Sequence, residues 1–302
     1  MADIVGIGCG VFDFMIMLDH WPEEDTKGGG KESKVQCGGP CAVAMIAASK
    51  LGVSSAYQGV VGDDVFGKII KERLEFYGVD TSALHVIEGG ISPSCAVLCN
   101  PQNASRTCIG GSRSNLPQLK PEDVDLEMLK NAKFLHVDGV NPEAALFAAK
   151  KAKEFGVKVS MDVDGAREGH VELLDYVDVI IPSEKFVYAQ AHTDDVEEGA
   201  WYVYNTYKPE VLVVTQGPKG GVMIYEGKLT HYDAFHVDAI DSNGAGDVFH
   251  GAWVAATVKG MDPYEATRFA SATSAIKCTH FGASEGAPAF ETVQEFLKAH
   301  EN

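Results

Sequence analysis

The sequence has few basic residues, and this scarcity excludes several classes of partner. It contains 25 Lys and Arg against 43 Asp and Glu, so its formal net charge is −18 at pH 7. Such a charge repels nucleic acid and anionic membrane surfaces, and no cluster of basic residues offsets it locally. We therefore expect no nucleic-acid partner and no membrane association. An anionic substrate has to be captured by individual basic side chains or by backbone amides at a helix start.

Paired cysteine motifs and long apolar runs are also missing. The seven cysteines show no CxxC spacing, which argues against a zinc site and favours a reducing compartment. No uncharged apolar run is long enough to span a membrane, and the first residues carry Asp3 but no basic leader. Since 45% of the residues are hydrophobic, the chain can bury a sizeable core. We expect a soluble, cytoplasmic protein.

What the sequence does contain is an alternation of strand-like and helical segments. From residue 130 onward, short apolar runs are separated by helical patterns. These runs lie at 134–139, 158–163, 177–183 and 211–217. The first half has the same rhythm, with strand patterns at 4–10 and 57–62 and helical patterns at 39–51 and 64–77. The alternation predicts an α/β core with a mostly parallel central sheet flanked by helices.

Two segments interrupt this alternation. Residues 13–37 and 93–111 carry short alternating strands with no helix between them. We interpret them as a small antiparallel β-sheet beside the carboxyl edge of the main sheet, where α/β proteins bind ligands, and we call them the lid. The core then comprises residues 1–12, 38–92 and 112–302. The lid strands have unpaired edges, which predicts a homodimer formed by pairing of two lids.

The strongest functional signal is the run DSNGAGD at 241–247, followed by the apolar helical pattern VFHGAWVAATV. Gly244, Ala245 and Gly246 can present bare N–H groups at a helix start, which suits a transferring phosphoryl group. Asp247 would repel that anion unless it accepts a proton from an attacking hydroxyl. The run therefore predicts an Asp general base beside a backbone-amide anion hole. Spacing alone leaves open an Asp-capped buried helix after a glycine turn.

The same run resembles DTxGAGD, the C-terminal signature of the ribokinase-like (PfkB-type) carbohydrate kinase family. Other stretches that resemble blocks of this family are Gly38-Gly39 with the small-residue helix after it, VGDDVFGKII and LEFYGVD within 61–80, and VTQGPKGG at 214–221. The resemblance covers nearly the whole chain. GDVFHGAW and SAIKCT are most similar to the ketohexokinase and sulfofructose kinase branch, which suggests a ketose. The resemblance to the family implies a ribokinase-like fold and an ATP-dependent sugar kinase that uses Mg²⁺.

The resemblance also implies roles for individual residues. Catalysis would fall to Asp247 as the base, with Gly244, Ala245 and Gly246 as the anion hole. The residues implied in substrate binding are Asp13, Gly38, Gly39 and Arg106. Those implied in the nucleotide site are Thr215, Gly217, Gly220, Lys277 and Gly282, the last two near the adenine. A monovalent cation such as K⁺ near Asp241 is a further implication. A solvated strand residue is the alternative for Arg106.

Some positions depart from the family pattern. Val43 stands where many members have an Asn that binds sugar hydroxyls, and Pro40 occupies another commonly polar position. The family's NxxE motif, which organises magnesium and phosphate, is replaced by SEKF, with Glu184 displaced by two positions. His250, one turn into the apolar helix, is within reach of the site, although a core histidine is the more common case. Arg113 could hold an anionic group of the substrate or lie solvated in its loop.

Two partial nucleotide-binding motifs do not fit their patterns. GDDVFGKI at 62–69 nearly matches a P-loop, but Ile69 lacks the hydroxyl that binds Mg²⁺. GIGCGV at 6–11 resembles a dinucleotide fingerprint, but Val11 stands where its third glycine belongs.

Three alternative functions stay open. A nucleoside kinase would need lid aromatics that stack on a base, a non-catalytic sugar sensor would be expected to lose Asp247, and a nicotinamide-dependent dehydrogenase would bind NAD and consume no ATP.

Overall fold

The computed structural model describes residues 1–100, 102–111, 114–163 and 170–300. Arg113 lies outside these ranges. The strands are β1 (Ile4–Ile7), β2 (Val11–Leu18), β3 (Gly30–Gly38), β4 (Ser55–Gly62), β5 (Leu84–Ile87), β6 (Ser94–Asn100), β7 (Ser105–Gly110), β8 (Phe134–Val137), β9 (Lys158–Val163), β10 (Val179–Pro182), β11 (Val211–Thr215), β12 (Gly221–Tyr225) and β13 (Lys228–Tyr232). The α-helices are α1 (Pro40–Lys50), α2 (Val65–Phe76), α3 (Leu126–Lys130), α4 (Pro142–Phe155), α5 (His170–Leu174), α6 (Glu184–Ala191), α7 (Val196–Tyr207), α8 (Ala245–Val258), α9 (Pro263–Cys278) and α10 (Phe290–Ala299).

Nine strands form the main sheet, in the order β13-β12-β11-β10-β9-β8-β1-β4-β5. All pairings from β11 to β5 are parallel, and β12 and β13 add an antiparallel ribbon at one edge. The chain leaves β1 toward β4 on one side and reaches β8 on the other. Loops diverge at such a switch point and leave a crevice at the carboxyl ends of the strands. This crevice is where a ligand is expected.

Both faces of the parallel part are covered by helices, so most of its strand residues are apolar and buried. Every residue of β1, β8 and β10 is buried. Ile4 packs into a core with α1, α2, α8, α9 and α10, whereas Val5 packs into a second core with the helices from α3 to α7. Successive strand residues point to opposite faces, which explains the continuous apolar runs. The predicted α/β core is confirmed.

Close packing of α8 holds the DSNGAGD segment against the core. Gly251 faces α1, and a Cβ at this position would overlap the carbonyl oxygen of Ala44. Glycine therefore allows the two helices to approach more closely than any other residue would permit. No helix in the described ranges has both the length and the apolarity needed to cross a bilayer.

The lid segments contain a separate four-stranded sheet in the order β3-β2-β6-β7. The β2–β3 and β6–β7 pairs are antiparallel, while the central β2–β6 pair is parallel. A parallel pair needs a long crossover, and the core segment between residues 38 and 93 supplies it. Met15, Met17, Val97 and Cys99 form a small apolar cluster with Phe281 from the loop after α9. The lid is therefore packed onto the core close to the start of α8.

Candidate active site

Two cavities meet at the start of α8. Ala245 and Gly246 line a cavity of about 240 Å³. Asn243 and Asp247 line a second one of about 170 Å³. We call them the larger and the smaller cavity. The first residues of α8 thus border both spaces, which places the predicted anion hole and the predicted base on either side of one short turn.

A left-handed residue begins α8. Gly244 is its N-cap with φ of 72°, and no side chain of the described residues caps this helix end. A Cβ at position 244 would overlap the Cβ of Ala283, so both the backbone angle and the lack of space require glycine. An uncapped helix N-terminus carries partial positive charge on its N–H groups. The turn therefore suits an anion.

Asp241 anchors this turn from inside the protein. Its side chain is fully buried, and its two carboxylate oxygens accept hydrogen bonds from the backbone N–H groups of Asn243 and Gly282, each at 2.8 Å. Lys277 Nζ donates to the Asp241 carbonyl oxygen at 2.7 Å and lies 3.7 Å from Oδ2. These contacts tie the start of α8 to the end of α9 and to the loop that follows it.

The larger cavity contains three of the five residues that sequence analysis assigned to the nucleotide. Thr215, Gly217 and Gly220 line one side of it. Ser271, Ser274 and Ala275 of α9 also line it. Lys277 and Gly282, expected near the adenine, instead contact Asp241, and the described wall of this cavity includes neither.

A third wall of the larger cavity was missed from the sequence. The run YDAFHVDA at 232–239 contributes Tyr232, Ala234, Phe235, His236, Val237 and Ala239. Phe249 of α8 adds a further aromatic side chain. The sequence feature that could have predicted this wall is the aromatic and apolar run itself, just before DSNGAGD. Because it has neither helical nor strand periodicity, the sequence pattern does not distinguish it from an ordinary loop.

The smaller cavity lies between the lid and the core. Asp13, Gly38 and Gly39 line it together with Asp247, so three of the four predicted substrate residues share one space with the predicted base. The fourth, Arg106, is absent from the described wall. Its Nη1 lies 3.5 Å from Ser242 Oγ, at the exposed side of the turn that precedes α8.

Burial changes the protonation of Asp13. The residue is 6% exposed, and this burial raises its pKa to about 7, while a hydrogen bond from Gln36 Nε2 at 3.4 Å opposes the rise. Gln36 is itself held in place because its Oε1 accepts from the backbone N–H of Ala283 at 3.0 Å. Asp13 is therefore a buried carboxyl group whose charge changes near neutral pH, in direct contact with the smaller cavity.

The other walls of the smaller cavity are weakly polar, and the sequence pattern singled out only Val43 among their residues. They consist of Val11, Val43, Cys95, Val97 and Cys108. The alternation in the strands CAVLCN and RTCIG could have predicted the wall residues of the lid, since every second strand residue faces the same side. Val43, which stands at the position of the family's Asn, thus adds an apolar surface to this cavity.

Glu184 lies beside the larger cavity and is held by neighbouring side chains. It is the first residue of α6, and the preceding Ser183 bridges to Thr215. Its Oε2 accepts hydrogen bonds from Gln216 Nε2 at 2.9 Å and from the Tyr188 hydroxyl at 3.2 Å. The carboxylate is therefore fixed next to a residue that lines the cavity, despite its displacement from the NxxE pattern.

His250 belongs to the core. It is 5% exposed, its Nε2 lies 3.2 Å from Asp162 Oδ1, and its ring centroid is 5.6 Å from that of His136. Neither cavity has His250 in its described wall. The structure therefore places this histidine behind the α8 turn, as the core alternative anticipated.

No cluster of three or more His, Cys, Asp or Glu side chains in the described ranges can hold a metal ion. A nucleotide-bound Mg²⁺ does not need one, because it keeps several waters and takes phosphate oxygens together with one or two carboxylates. Asp247, which lines the smaller cavity at the same turn, and Glu184, which is held beside the larger cavity, are such carboxylates. The residues present therefore fit a magnesium ion that arrives with a nucleotide, and not one held in a protein cage.

Comparison with known sequences identifies the family. Residues 1–289 match the model of the pfkB family carbohydrate kinases. An ATP-dependent ribose-1-phosphate kinase of Halopiger xanaduensis is 28% identical over 301 residues, covering 98% of each chain. A ketohexokinase of Mus musculus is 26% identical over 285 residues, covering 91% of this chain and 95% of the mouse protein. These relatives act on different sugars, so the similarity does not single out a substrate.

Solved structures show the same fold. A candidate ribokinase from Agrobacterium tumefaciens superimposes with a TM-score of 0.94 at 26% identity, covering 100% of this chain and 99% of the other. An Arabidopsis thaliana ribokinase in complex with ribose and ATP gives a TM-score of 0.85 at 25% identity, covering 98% and 99%. The resemblance inferred from DSNGAGD is confirmed over the whole length. The chain belongs to the pfkB family of carbohydrate kinases and is a phosphotransferase that acts on sugars.

Proposed function

We propose that this protein transfers the γ-phosphoryl group of ATP to a hydroxyl of a ketose or related sugar. The observation that carries the proposal is the start of α8, where Ala245 and Gly246 line the larger cavity and Asp247 lines the smaller one. ATP in the larger cavity would direct its terminal phosphate toward that turn. A sugar in the smaller cavity would then bring a hydroxyl to the Asp247 carboxylate.

The residues at the start of α8 have two different roles in the proposed reaction. Asp247 accepts the proton of the attacking hydroxyl as its oxygen forms a bond to the γ-phosphorus and the bond from that phosphorus to the bridging oxygen breaks, so that ADP leaves. The amides of Gly244, Ala245 and Gly246, with the positive helix end, stabilise the negative charge on the transferring group. When bound, Mg²⁺ neutralises phosphate charge and orients the triphosphate. Glu184 is fixed where it can hold water ligands of that ion.

The lid contributes to sugar binding. Asp13 lies on β2, and as a carboxylate it would accept hydrogen bonds from sugar hydroxyls, with Gly38 and Gly39 presenting backbone groups at close approach. A lid packed over the sugar excludes water and so limits wasteful ATP hydrolysis. Arg106, near Ser242, is positioned for an anionic group of the substrate or for a phosphate.

A sugar is favoured over a nucleoside by the walls of the smaller cavity. Its described wall contains valines, cysteines, glycines and carboxylates but no aromatic ring that could stack on a base. A non-catalytic sugar sensor is disfavoured because the base is present at the turn. Thr215, Gly217 and Gly220 line a cavity suited to ATP, and GIGCGV lacks the third glycine for NAD.

We also propose that the lid forms a homodimer and that the protein works in the cytoplasm. β3 and β7 are the outer strands of the lid sheet, every residue of β7 is exposed, and Ile109 on β7 is 56% exposed. Pairing two such edges would cover unpaired backbone groups. All seven cysteines are free thiols, consistent with a reducing compartment. A solution mass equal to that of a single chain would contradict the dimer.

The substrate proposal is tested by a coupled assay of ATP consumption over ketoses, aldoses, sugar phosphates and nucleosides. We expect ADP formation that depends on a ketose or related sugar and on Mg²⁺. An Asp247→Asn variant measured in parallel controls for contaminating kinases. Turnover only with nucleosides would contradict the sugar assignment, and reduction of NAD without ATP consumption would contradict the kinase.

A further inference from the structure

Lys277 and Asp241 form an ion pair inside the protein, directly beneath the α8 turn. Both side chains are fully buried, and Lys277 Nζ lies 2.7 Å from the Asp241 carbonyl oxygen and 3.7 Å from its Oδ2. A buried carboxylate that loses its partner is strongly unfavourable. The ammonium group therefore neutralises a negative charge that would otherwise lie next to the anion-binding turn.

A K⁺ ion coordinated by Asp241 does not fit these contacts. Such an ion replaces its hydration shell with several protein oxygens. The Asp241 oxygens already accept hydrogen bonds, Oδ1 from Asn243, Oδ2 from Gly282 and the carbonyl oxygen from Lys277. A second cation beside the buried ammonium would also be repelled, because little solvent screens the two charges. The residues present thus disagree with the monovalent cation that the family resemblance implied.

We infer that Lys277 supplies the fixed positive charge beneath the α8 turn in place of a monovalent cation, so that this kinase works without K⁺. Lys277 is a positioning residue, since the described wall of neither cavity includes it and it acts through Asp241. Its ammonium group ties the end of α9 to the carbonyl oxygen of Asp241, and thereby holds the amides of Gly244 to Gly246 in the anion-binding arrangement. The consequence for activity rests on the proposed function, whereas the consequence for stability does not.

Burial lowers the pKa of Lys277, and the nearby Asp241 carboxylate opposes this decrease by favouring the charged ammonium group. Besides Asp241, the charged and titratable groups that act on Lys277 are Arg106, Cys99 and Cys278. Burial, with Asp241 nearby, raises the pKa of the Cys99 thiol to about 12, so the thiol stays neutral and its Sγ, 3.7 Å from Asp241 Oδ1, acts as a donor. Asp241 therefore provides the negative charge that Lys277 balances.

The test combines the wild type with two lysine variants. Thermal unfolding and kinase rate are measured in K⁺ and in tetramethylammonium chloride at equal ionic strength. For the wild type we expect the same Tm and a rate within about twofold in both salts, because a ligand with no site gives no stabilisation. Lys277→Ala should lose about tenfold or more in rate and about 5 °C or more in Tm. K⁺ or methylammonium should restore part of that Tm.

Lys50→Ala is the matched control. Lys50 is also a partly desolvated lysine that donates to backbone carbonyls, those of Ser284 and Glu285, in the loop after α9, but it does not contact Asp241. We expect its Tm and rate to be insensitive to K⁺ and methylammonium. The inference is overturned if K⁺ raises the wild-type Tm or rate well above the tetramethylammonium values. It is also overturned if Lys277→Ala behaves like Lys50→Ala or gains nothing from either cation. If Lys277→Ala does not fold, the comparison of wild-type Tm in K⁺ and in tetramethylammonium still tests the inference. This Tm measurement needs no substrate, so it remains valid even if the proposed kinase activity is wrong.

Discussion

Replacing Asp247 with Asn is expected to lower kcat by about two to four orders of magnitude, while ATP and sugar still bind. Asn keeps the size and the hydrogen-bonding capacity of the side chain but cannot accept the proton of the attacking hydroxyl. Asp247 lines the smaller cavity in the first turn of α8, one residue after Gly246 at the larger cavity. Single-turnover kinetics, with binding of each ligand measured separately by calorimetry, check this result.

Asp262→Asn is the matched control for removing a carboxylate from a helix start. Asp262 is exposed, begins α9 and accepts from the backbone N–H of Glu265 at 2.9 Å. Asn caps a helix about as well as Asp, so kcat and stability should stay close to wild type. If Asp247→Asn keeps full turnover at saturating substrate, Asp247 is not the base. If it loses sugar binding together with turnover, its role is in binding.

Replacing Asp13 with Asn is expected to weaken sugar binding about 100-fold at pH 8, since two hydrogen bonds to a charged group would become neutral ones. It should also remove a pH dependence. The free carboxyl has its pKa raised to about 7, and hydroxyl donors favour its ionised form, so the bound complex has a lower pKa. Sugar affinity in the wild type should then rise as the pH increases to about 7 and level off above it.

The free energy of unfolding is expected to change with pH in the opposite direction to the sugar affinity. Because the pKa of Asp13 is raised in the folded protein from 3.8 to about 7, the folded state retains a proton that the unfolded chain has lost. Its contribution to the free energy of unfolding therefore falls as the pH increases between about 4 and 7 and is constant above that. Asp13→Asn should remove this decrease.

Sugar Kd between pH 5.5 and 8.5, measured by calorimetry without ATP, separates Asp13 from the titration of a catalytic base that affects only turnover. Asp63→Asn is the control, since Asp63 is an exposed carboxylate in the loop after β4 that neither described cavity wall contains. It should retain the wild-type pH profile. An unchanged profile in Asp13→Asn would assign the pH dependence to another group.

Much of the fold could be predicted because its signals are local. Buried parallel strands such as β1 and β10 are apolar on both faces and therefore stand out as continuous runs. The lid segments were recognisable because their strands alternate with no helix between them. The parallel pairing of β2 with β6 was not predicted, since strand pairing depends on how the chain returns after the crossover and not on the composition of either strand.

Some parts of the candidate site could also be predicted from the sequence, and others could not. Gly244 to Asp247 are consecutive, so a single turn of backbone brings the amides and the carboxylate together, and the motif alone predicted this juxtaposition. Their catalytic roles stay a prediction. The family resemblance placed Lys277 near the adenine, and the structure shows that it pairs with Asp241, 36 residues away. The wall at 232–239 carried no periodic signal and emerged only from its packing beside α8 and α9.

The sequence by itself determined which elements form and marked the short segment to which we assign the phosphoryl-transfer chemistry, because helix and strand periodicity and the geometry of a helix start depend on neighbouring residues. Only the tertiary structure decided what surrounds that segment. It brought Asp13 from the lid to Asp247, buried Asp13 deeply enough to raise its pKa toward neutrality, and placed a lysine under Asp241. These properties depend on desolvation and on distances between remote residues, which exist only once the chain has folded.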